Sequence, residues 1–369
     1  MGVGELPRLQ IRYRKRIIGQ IVQRIEEDFQ RGCAIMSVER NDEARDTEGR
    51  RVVWSGGAAH APLALCYHSR FSRAGLNEAD RNSAIHHAHA AIVVEETRPG
   101  LFTTTTLGDA LRDGAPGAAR ATILTIAGSW QWKAWDQFLH ALRTGQSGVE
   151  AAFGKDLFEF LSGEPVHSAR FNDAMVGMHG APAVVAAYDF SRFRSILDVG
   201  GGKGALLAEI LKAHPQMNAV LFDLPETEQH ARDYIAAAGL GGRCTFHAGD
   251  FFKHLPSGHD AYVMAHVLHD WSDDDAVAIL RKCREAVPVE GRLLIVEAVL
   301  PDGNMPHHGK LMDLLMLTVT GGVERSQDEF AQILAQSGFT LGYVHRRRPI
   351  KASSRLSRFK KPIFAVVCL

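Results

Sequence analysis

The spacing of apolar positions divides the chain into stretches of different period. Residues 16 to 29 place Ile17, Ile18, Ile21, Val22 and Ile25 at helical intervals with charges between them, which predicts one amphipathic helix. From Arg40 to Gly57 the chain is polar with few apolar anchors, as in a loop, and residues 58 to 91 show no clear period. Order returns at residues 91 to 95, Ala-Ile-Val-Val-Glu, followed by the turn Pro99-Gly100, a second β-rich piece from Leu101 to Thr106, and a short helix from Leu107 to Leu111. Two β-rich pieces around a Pro-Gly turn predict the wing of a winged-helix unit, and without a basic recognition helix just before it the unit reads as a packing module.

From Ala118 to Phe190 the pattern is helical, with Trp130, Trp132 and Trp135 ahead of Phe138, Leu139 and Leu142, and Phe158, Phe160, Phe171, Met175 and Met178 further on. An aromatic and methionine stripe at this spacing predicts core, part of which can line a pocket. The rest alternates strand and helix. Strands are predicted at residues 196 to 199, 219 to 222, 244 to 247, 261 to 264 and 292 to 297, with helices between them, including one from Glu226 to Ala238 and one over residues 310 to 319. Ser272 is expected to cap a helix whose first turn holds Asp273, Asp274 and Asp275, and Ser326 to Glu329 reads as a capping box for a helix closed by Gly338. Repeated units of this length predict an α/β fold, a doubly wound parallel sheet that binds its ligand at the carboxyl ends of the strands.

Composition narrows the class. The chain has 369 residues, 46% hydrophobic and 23% charged, with a formal net charge of zero, so neither nucleic acid nor an anionic membrane is an expected partner. Five scattered cysteines without CxxC spacing and eighteen histidines without HExxH predict no disulfide framework, no metal site and a reducing, cytoplasmic location. No apolar run approaches the ~20 residues of a membrane helix.

The chemistry gathers at Ser195 to Leu211, where Ile196-Leu197-Asp198-Val199 runs into Gly200-Gly201-Gly202-Lys203-Gly204 and then into a helix with Leu206, Leu207, Ile210 and Leu211 on one face. Glycines suit a tight turn at a helix N-terminus that a ligand must approach closely. A Walker loop would need Ser or Thr after Lys203, where Gly204 stands. A dinucleotide fingerprint fits loosely, as Gly200, Gly202 and Ala205 with Asp223 after the next strand. A methyltransferase form, acidic-x-Gly-x-Gly-x-Gly, is matched by Asp198, Gly200, Gly202 and Gly204. Gly200, Asp223, Asp250, His269 and Glu297 each fall at or just past the end of a predicted strand, which collects them on one edge.

With the motifs DVGGGKG, LFDLP, GDFF, HDW and GGVERS in that order, the chain from about Ile92 to Gly342 resembles class I S-adenosylmethionine-dependent O-methyltransferases. It is similar to the branch with plant caffeate-type and bacterial antibiotic-tailoring enzymes. The resemblance implies S-adenosylmethionine as cofactor, bound through Asp198, Gly200, Gly202, Gly204 and Asp223, with Asp250 and Phe251 beside the adenine. It implies His269 as the base, flanked by the carboxylates of Glu297 and Glu324, and Phe171, Met175 and Met316 around the ring of a small aromatic substrate with a phenolic hydroxyl. It also implies three regions: a winged-helix-like dimerisation domain at residues 1–117, a helical connector lining the substrate pocket at 118–181, and a Rossmann-like cofactor domain at 182–369.

Three departures stand out. Many members carry a cofactor-contacting Lys four residues before the catalytic His, where this chain has Ala265 followed by His266. Residues before about Ile92 do not match the helical dimerisation domain through which a homodimer is expected. A basic segment, Arg346 to Lys361, precedes the apolar run Ile363 to Val367, which is expected to close the sheet as a strand. A nicotinamide oxidoreductase would use the same glycine turn but leave HDW and GDFF without a role; a catalytically silent cofactor-binding regulator would not need His269, Glu297 and Glu324.

Overall fold

The computed structural model describes residues 93–98, 101–112, 115, 117–178, 180–303, 307–342, 344 and 364–366. The helix expected at 16 to 29, residues 58 to 91 and the basic segment lie outside them. The first elements are strands β1 (Val94–Arg98) and β2 (Leu101–Thr104), an antiparallel hairpin that pairs Val94 with Thr104. Helix α1 (Thr106–Ala110) follows, capped by the Thr105 hydroxyl, which accepts from the Gly108 amide.

The long helical stretch is broken into seven pieces: α2 (Ala119–Ile126), α3 (Ser129–Asp136), α4 (Phe138–Thr144), α5 (Gly148–Phe153), α6 (Leu157–Ser162), α7 (Pro165–Met178) and α8 (Ala181–Ala187). Their shared core holds Trp130, Ala134, Val149, Leu157, Phe160 and Leu161, so this part of the aromatic stripe is packing. Burying each large apolar side chain there is worth roughly 1.5–3 kcal/mol.

The remaining chain is a βα succession: β3 (Ser195–Val199), α9 (Ala205–Ala213), β4 (Asn218–Asp223), α10 (Glu228–Ala237), β5 (Cys244–Ala248), β6 (Ala261–Ala265), α11 (Asp273–Ala286), β7 (Arg292–Leu300), α12 (His308–Val319), β8 (Arg325–Ser326), α13 (Gln327–Gln336) and β9 (Phe364–Val366). The helix expected from Glu226 begins instead with a 3-10 turn at Pro225–Thr227. A proline suits a first turn because its missing N–H has no intrahelical partner there. Both expected caps form. Ser272 Oγ accepts from the Asp275 amide, and Ser326 and Glu329 make the reciprocal pair of a capping box.

The strands form a seven-stranded sheet in the order β5-β4-β3-β6-β7-β8, parallel throughout, with β9 antiparallel on β7 as the closing strand. Alternation along the strands separates two apolar layers. Ile196, Ala261, Val263, Leu294 and Val296 face α8, α9 and α10, while Leu197, Val199, Tyr262, Met264, Leu293 and Ile295 face α11 and α13. From β3 the chain runs outward to β4 and β5, then returns to place β6 on the other side of β3. The crevice between the carboxyl ends of β3 and β6 is therefore the switch point where such sheets bind ligands. Among the described residues, no helix is long and apolar enough to cross a membrane.

Candidate active site

His269 sits in a short turn just after β6, and its neighbours come from three separate elements. Its Nδ1 lies 2.9 Å from Glu324 Oε1 and 3.6 Å from Glu297 Oε2. Glu297, from the middle of β7, is fully buried, and its Oε1 accepts from the amides of Val267 at 3.0 Å and Leu268 at 2.8 Å. That carboxylate thus holds the turn as well as the ring. Nε2 makes no closer carboxylate approach than 3.8 Å, to Asp270 Oδ1. With Nδ1 committed to carboxylates, Nε2 is the nitrogen left to exchange a proton.

The electrostatics follow from this enclosure. Burial by itself pulls the His269 pKa down, but the surrounding carboxylates of Glu297, Asp270 and Glu324 outweigh it and raise it to about 10. Burial pushes Asp270 up to about 6, against the opposing pull of His269. Glu297 is likewise raised by burial.

Arg325, with no exposed surface, fastens the assembly. Its guanidinium donates to the carbonyls of Leu268 (2.7 Å) and Trp271 (2.9 Å), on either side of His269, and to Asp273 Oδ1 (2.9 Å). Because Arg325 directly follows Glu324, the same residue ties both partners of the 2.9 Å contact. Arg325 lies in the motif GGVERS, but the motif by itself does not signal this role.

A cleft of about 470 Å³ opens at the switch point, lined by Gly200, Gly202, Asp223, Asp250, Phe251 and His266 among others. Gly200 and Gly202 adopt φ +69° and +58°, and a Cβ on Gly200 would meet Val267 Cγ2 at 3.0 Å, so the turn needs residues without side chains. The Gly202 amide donates to Asp223 Oδ2 at 2.7 Å and the Leu224 amide to Oδ1 at 2.7 Å. Burial raises the Asp223 pKa against those hydrogen bonds. Phe251 meets Trp271 edge to face at 6.0 Å between centroids, giving the cleft an aromatic wall. Asp250 Oδ1 accepts from the Phe252 amide at 2.9 Å. Lys203 reaches across to Asp173 of α7 at 2.6 Å, joining the glycine turn to the helical region.

Two of the residues expected at the cofactor do not line this cleft. Asp198 lies beneath the turn, 1% exposed, with neither carboxylate oxygen hydrogen-bonded. Gly204 caps α9 and faces Leu221 and Ile235.

A second cavity, about 150 Å³, adjoins the first. Phe171, Met175 and Met316 line it together with His269 and Glu324, so the residues expected around an acceptor ring and those expected to do the chemistry share one chamber. Phe171, Met175, His266 and Asp270 line both spaces. His266 stands at this junction with φ +55°, a left-handed conformation uncommon for a residue with a side chain. The sequence marks it only as the neighbour of Ala265. His266, His269 and Glu297 also bring donor atoms within 4.8 Å of one another, a grouping of metal-ligand types that spacing along the chain does not show. The amides on Glu297 Oε1 and the Glu324 contact of His269 already occupy much of that donor set.

A switch-point cleft with a glycine turn, an acid after the second strand and an enclosed histidine fits a class I methyltransferase. The O-methyltransferase domain family matches residues 135–340, and the chain belongs to that family, whose cofactor is S-adenosylmethionine. It is 43% identical over 254 residues to a phenazine O-methyltransferase of Lysobacter antibioticus, covering 68% of this chain and 74% of that one. It also resembles a solved O-methyltransferase from neocarzinostatin biosynthesis, in complex with S-adenosyl-L-homocysteine and 1,4-dihydroxy-2-naphthoic acid. The TM-score is 0.68 and the identity 31%, over 84% of this chain and 93% of that one. Similar proteins include an 8-amino-8-demethylriboflavin N,N-dimethyltransferase of Streptomyces davaonensis (34% identical, 70% of this chain, 76% of that one). Another is an aclacinomycin 10-hydroxylase of Streptomyces purpurascens (38%, 64% and 65%).

Proposed function

We propose that this protein transfers a methyl group to a phenolic hydroxyl of a small aromatic natural product, with His269 as general base. The observation that carries the reading is the commitment of His269 Nδ1 to Glu324 at 2.9 Å inside the chamber lined by Phe171, Met175 and Met316. The cofactor supplies an electrophilic methyl on a sulfonium. The protein's share is to align the acceptor oxygen with that carbon, exclude water and take the phenolic proton on Nε2. A phenol titrates near ~10, and the carboxylates around His269 raise its affinity for a proton, which favours the imidazolium that forms as the phenol gives its proton up. Glu297 and Glu324 stabilise the imidazolium that results.

In this reading Gly200, Gly202 and Asp223 hold the amino-acid and ribose parts of the cofactor. Asp250 and Phe251 flank the adenine, and Asp198 and Gly204 support the turn from below. Residues 1–117, 118–181 and 182–369 serve as dimerisation, connector and cofactor regions. The β1–β2 hairpin is the wing of the first, and the enzyme acts as a cytoplasmic homodimer. Phenazine and naphthoate relatives support an aromatic acceptor.

The test is incubation of purified protein with S-adenosylmethionine and panels of phenols, arylamines and activated arenes, read by mass spectrometry. A gain of one CH2 unit on oxygen is expected. Methylation of arylamines alone would refute the oxygen specificity, and cofactor binding without any transfer would favour the silent regulator.

A further inference from the structure

We propose that the acceptor cavity is built for an aromatic substrate with a second hydrogen-bond donor, a hydroxyl or amino group remote from the reacting oxygen, held by Gln131 and Thr125. The inference rests on the methyl-transfer reading and narrows its substrate class.

Of the cavity's other polar residues, His269, Glu324 and Asp270 surround the site of proton transfer, while Thr122, His266, His308 and Thr320 complete the polar lining. Gln131 and Thr125 enter the same lining from consecutive helices, α3 and α2. They are 3% and 6% exposed, and among the described residues neither Gln131 Oε1 nor Thr125 Oγ1 has a hydrogen-bond partner. Buried polar atoms are normally paired, because stripping one of water without compensation is costly.

Thr125 also differs from other helical threonines nearby. Thr318 Oγ1 donates to the Leu314 carbonyl at 2.7 Å and Thr320 Oγ1 to the Met316 carbonyl at 3.0 Å, each satisfying itself on its own helix. Thr125 Oγ1 does not. A purely structural role at these two positions would be met by Leu and Val, which fill similar space without a polar atom. An unpaired carbonyl oxygen on Gln131 requires a donor, whereas the Thr125 hydroxyl can give or accept. The space both residues adjoin is the chamber in which the acceptor ring is held. A second hydroxyl or amine on that ring supplies the missing donor, and a monohydroxylated ring leaves both atoms unpaired.

The experiment compares kcat/KM for 2-naphthol with that for a panel of dihydroxynaphthalenes and aminonaphthols, in the wild type and in Gln131→Leu, Thr125→Val and Thr125→Ser. The ratio between paired acceptors cancels any effect of a substitution on folding or on the chemical step common to both. Wild type should prefer at least one bifunctional acceptor by about five- to a hundred-fold, the range expected for an uncompensated buried group. Gln131→Leu and Thr125→Val should each move the ratio towards one, and Thr125→Ser should keep it. A wild-type ratio near one, or a preference that survives both Leu and Val, would overturn the inference and leave a structural water as the partner of these atoms. Should no naphthol of either kind be methylated while S-adenosylhomocysteine still binds, this inference fails, and the methyl-transfer reading fails with it only when the wider panel of phenols, arylamines and activated arenes also gives no product.

Discussion

The switch-point cleft and the smaller cavity beside it share four lining residues, yet they are framed differently. The cleft is built around a backbone frame, a glycine turn whose amide is clamped to Asp223, strand ends in parallel register and loops that begin where strands stop, with side chains such as Phe251 and Met175 as its walls. The cavity is side chains, gathered from α2, α3, α7, α12 and the turn carrying His269. A site made of backbone is specified by local geometry and tolerates little change, whereas one made of side chains can be refitted to a new ligand without disturbing the sheet.

The comparison predicts that the two halves can be broken separately. The largest effect should come from His269→Ala, which removes the proposed base while leaving the cleft intact. Turnover should fall by about 10²–10⁴-fold, with S-adenosylhomocysteine binding by calorimetry retained; full activity in this variant would refute the mechanism. Asp223→Ala should do the converse. It removes a carboxylate that holds the glycine turn, and cofactor affinity should weaken by about ten- to a hundred-fold, as for loss of hydrogen bonds to a charged group.

A subtler effect is expected from Glu324→Gln. The carboxylate of Glu324 helps to raise the His269 pKa, so neutralising it should lower that pKa and move the rising limb of kcat/KM to lower pH. A profile that stays in place would show that Glu324 does not act through His269.

The smallest is a stability effect at Asp198. Burial and the nearby Asp223 raise its pKa from 3.8 to about 8. The folded state therefore binds more protons than the unfolded one across this interval, and stability should fall as pH rises from about 4 through 8. Asp198→Asn should flatten that fall and raise Tm at pH 8 by a few degrees, at about 2–4 °C per kcal/mol. An unchanged melting profile would show that a partner for the carboxylate exists in solution.

Much of the cleft can be read from the chain because its requirements are local. Gly200 and Gly202 precede a helix, Asp223 follows a strand, and each constraint spans a few residues. The capping residues Ser272 and Ser326 and the closing strand at β9 are legible for the same reason. Other features depend on elements far apart in the sequence. Glu324 reaches His269 across 55 positions, and its place beside the ring follows from resemblance and not from spacing. The burial of Asp198 out of the cleft and the left-handed turn at His266 have no local signature, and the motif GGVERS that contains Arg325 does not reveal its buried grip.

Arg325 has one further consequence. By holding the carbonyls beside His269 from the residue next to Glu324, it couples the spacing of base and carboxylate to the docking of α11 and α13 on the sheet. The 2.9 Å contact between His269 and Glu324 is therefore tied to the packing of these helices, and loss of that packing on heating should part the two side chains.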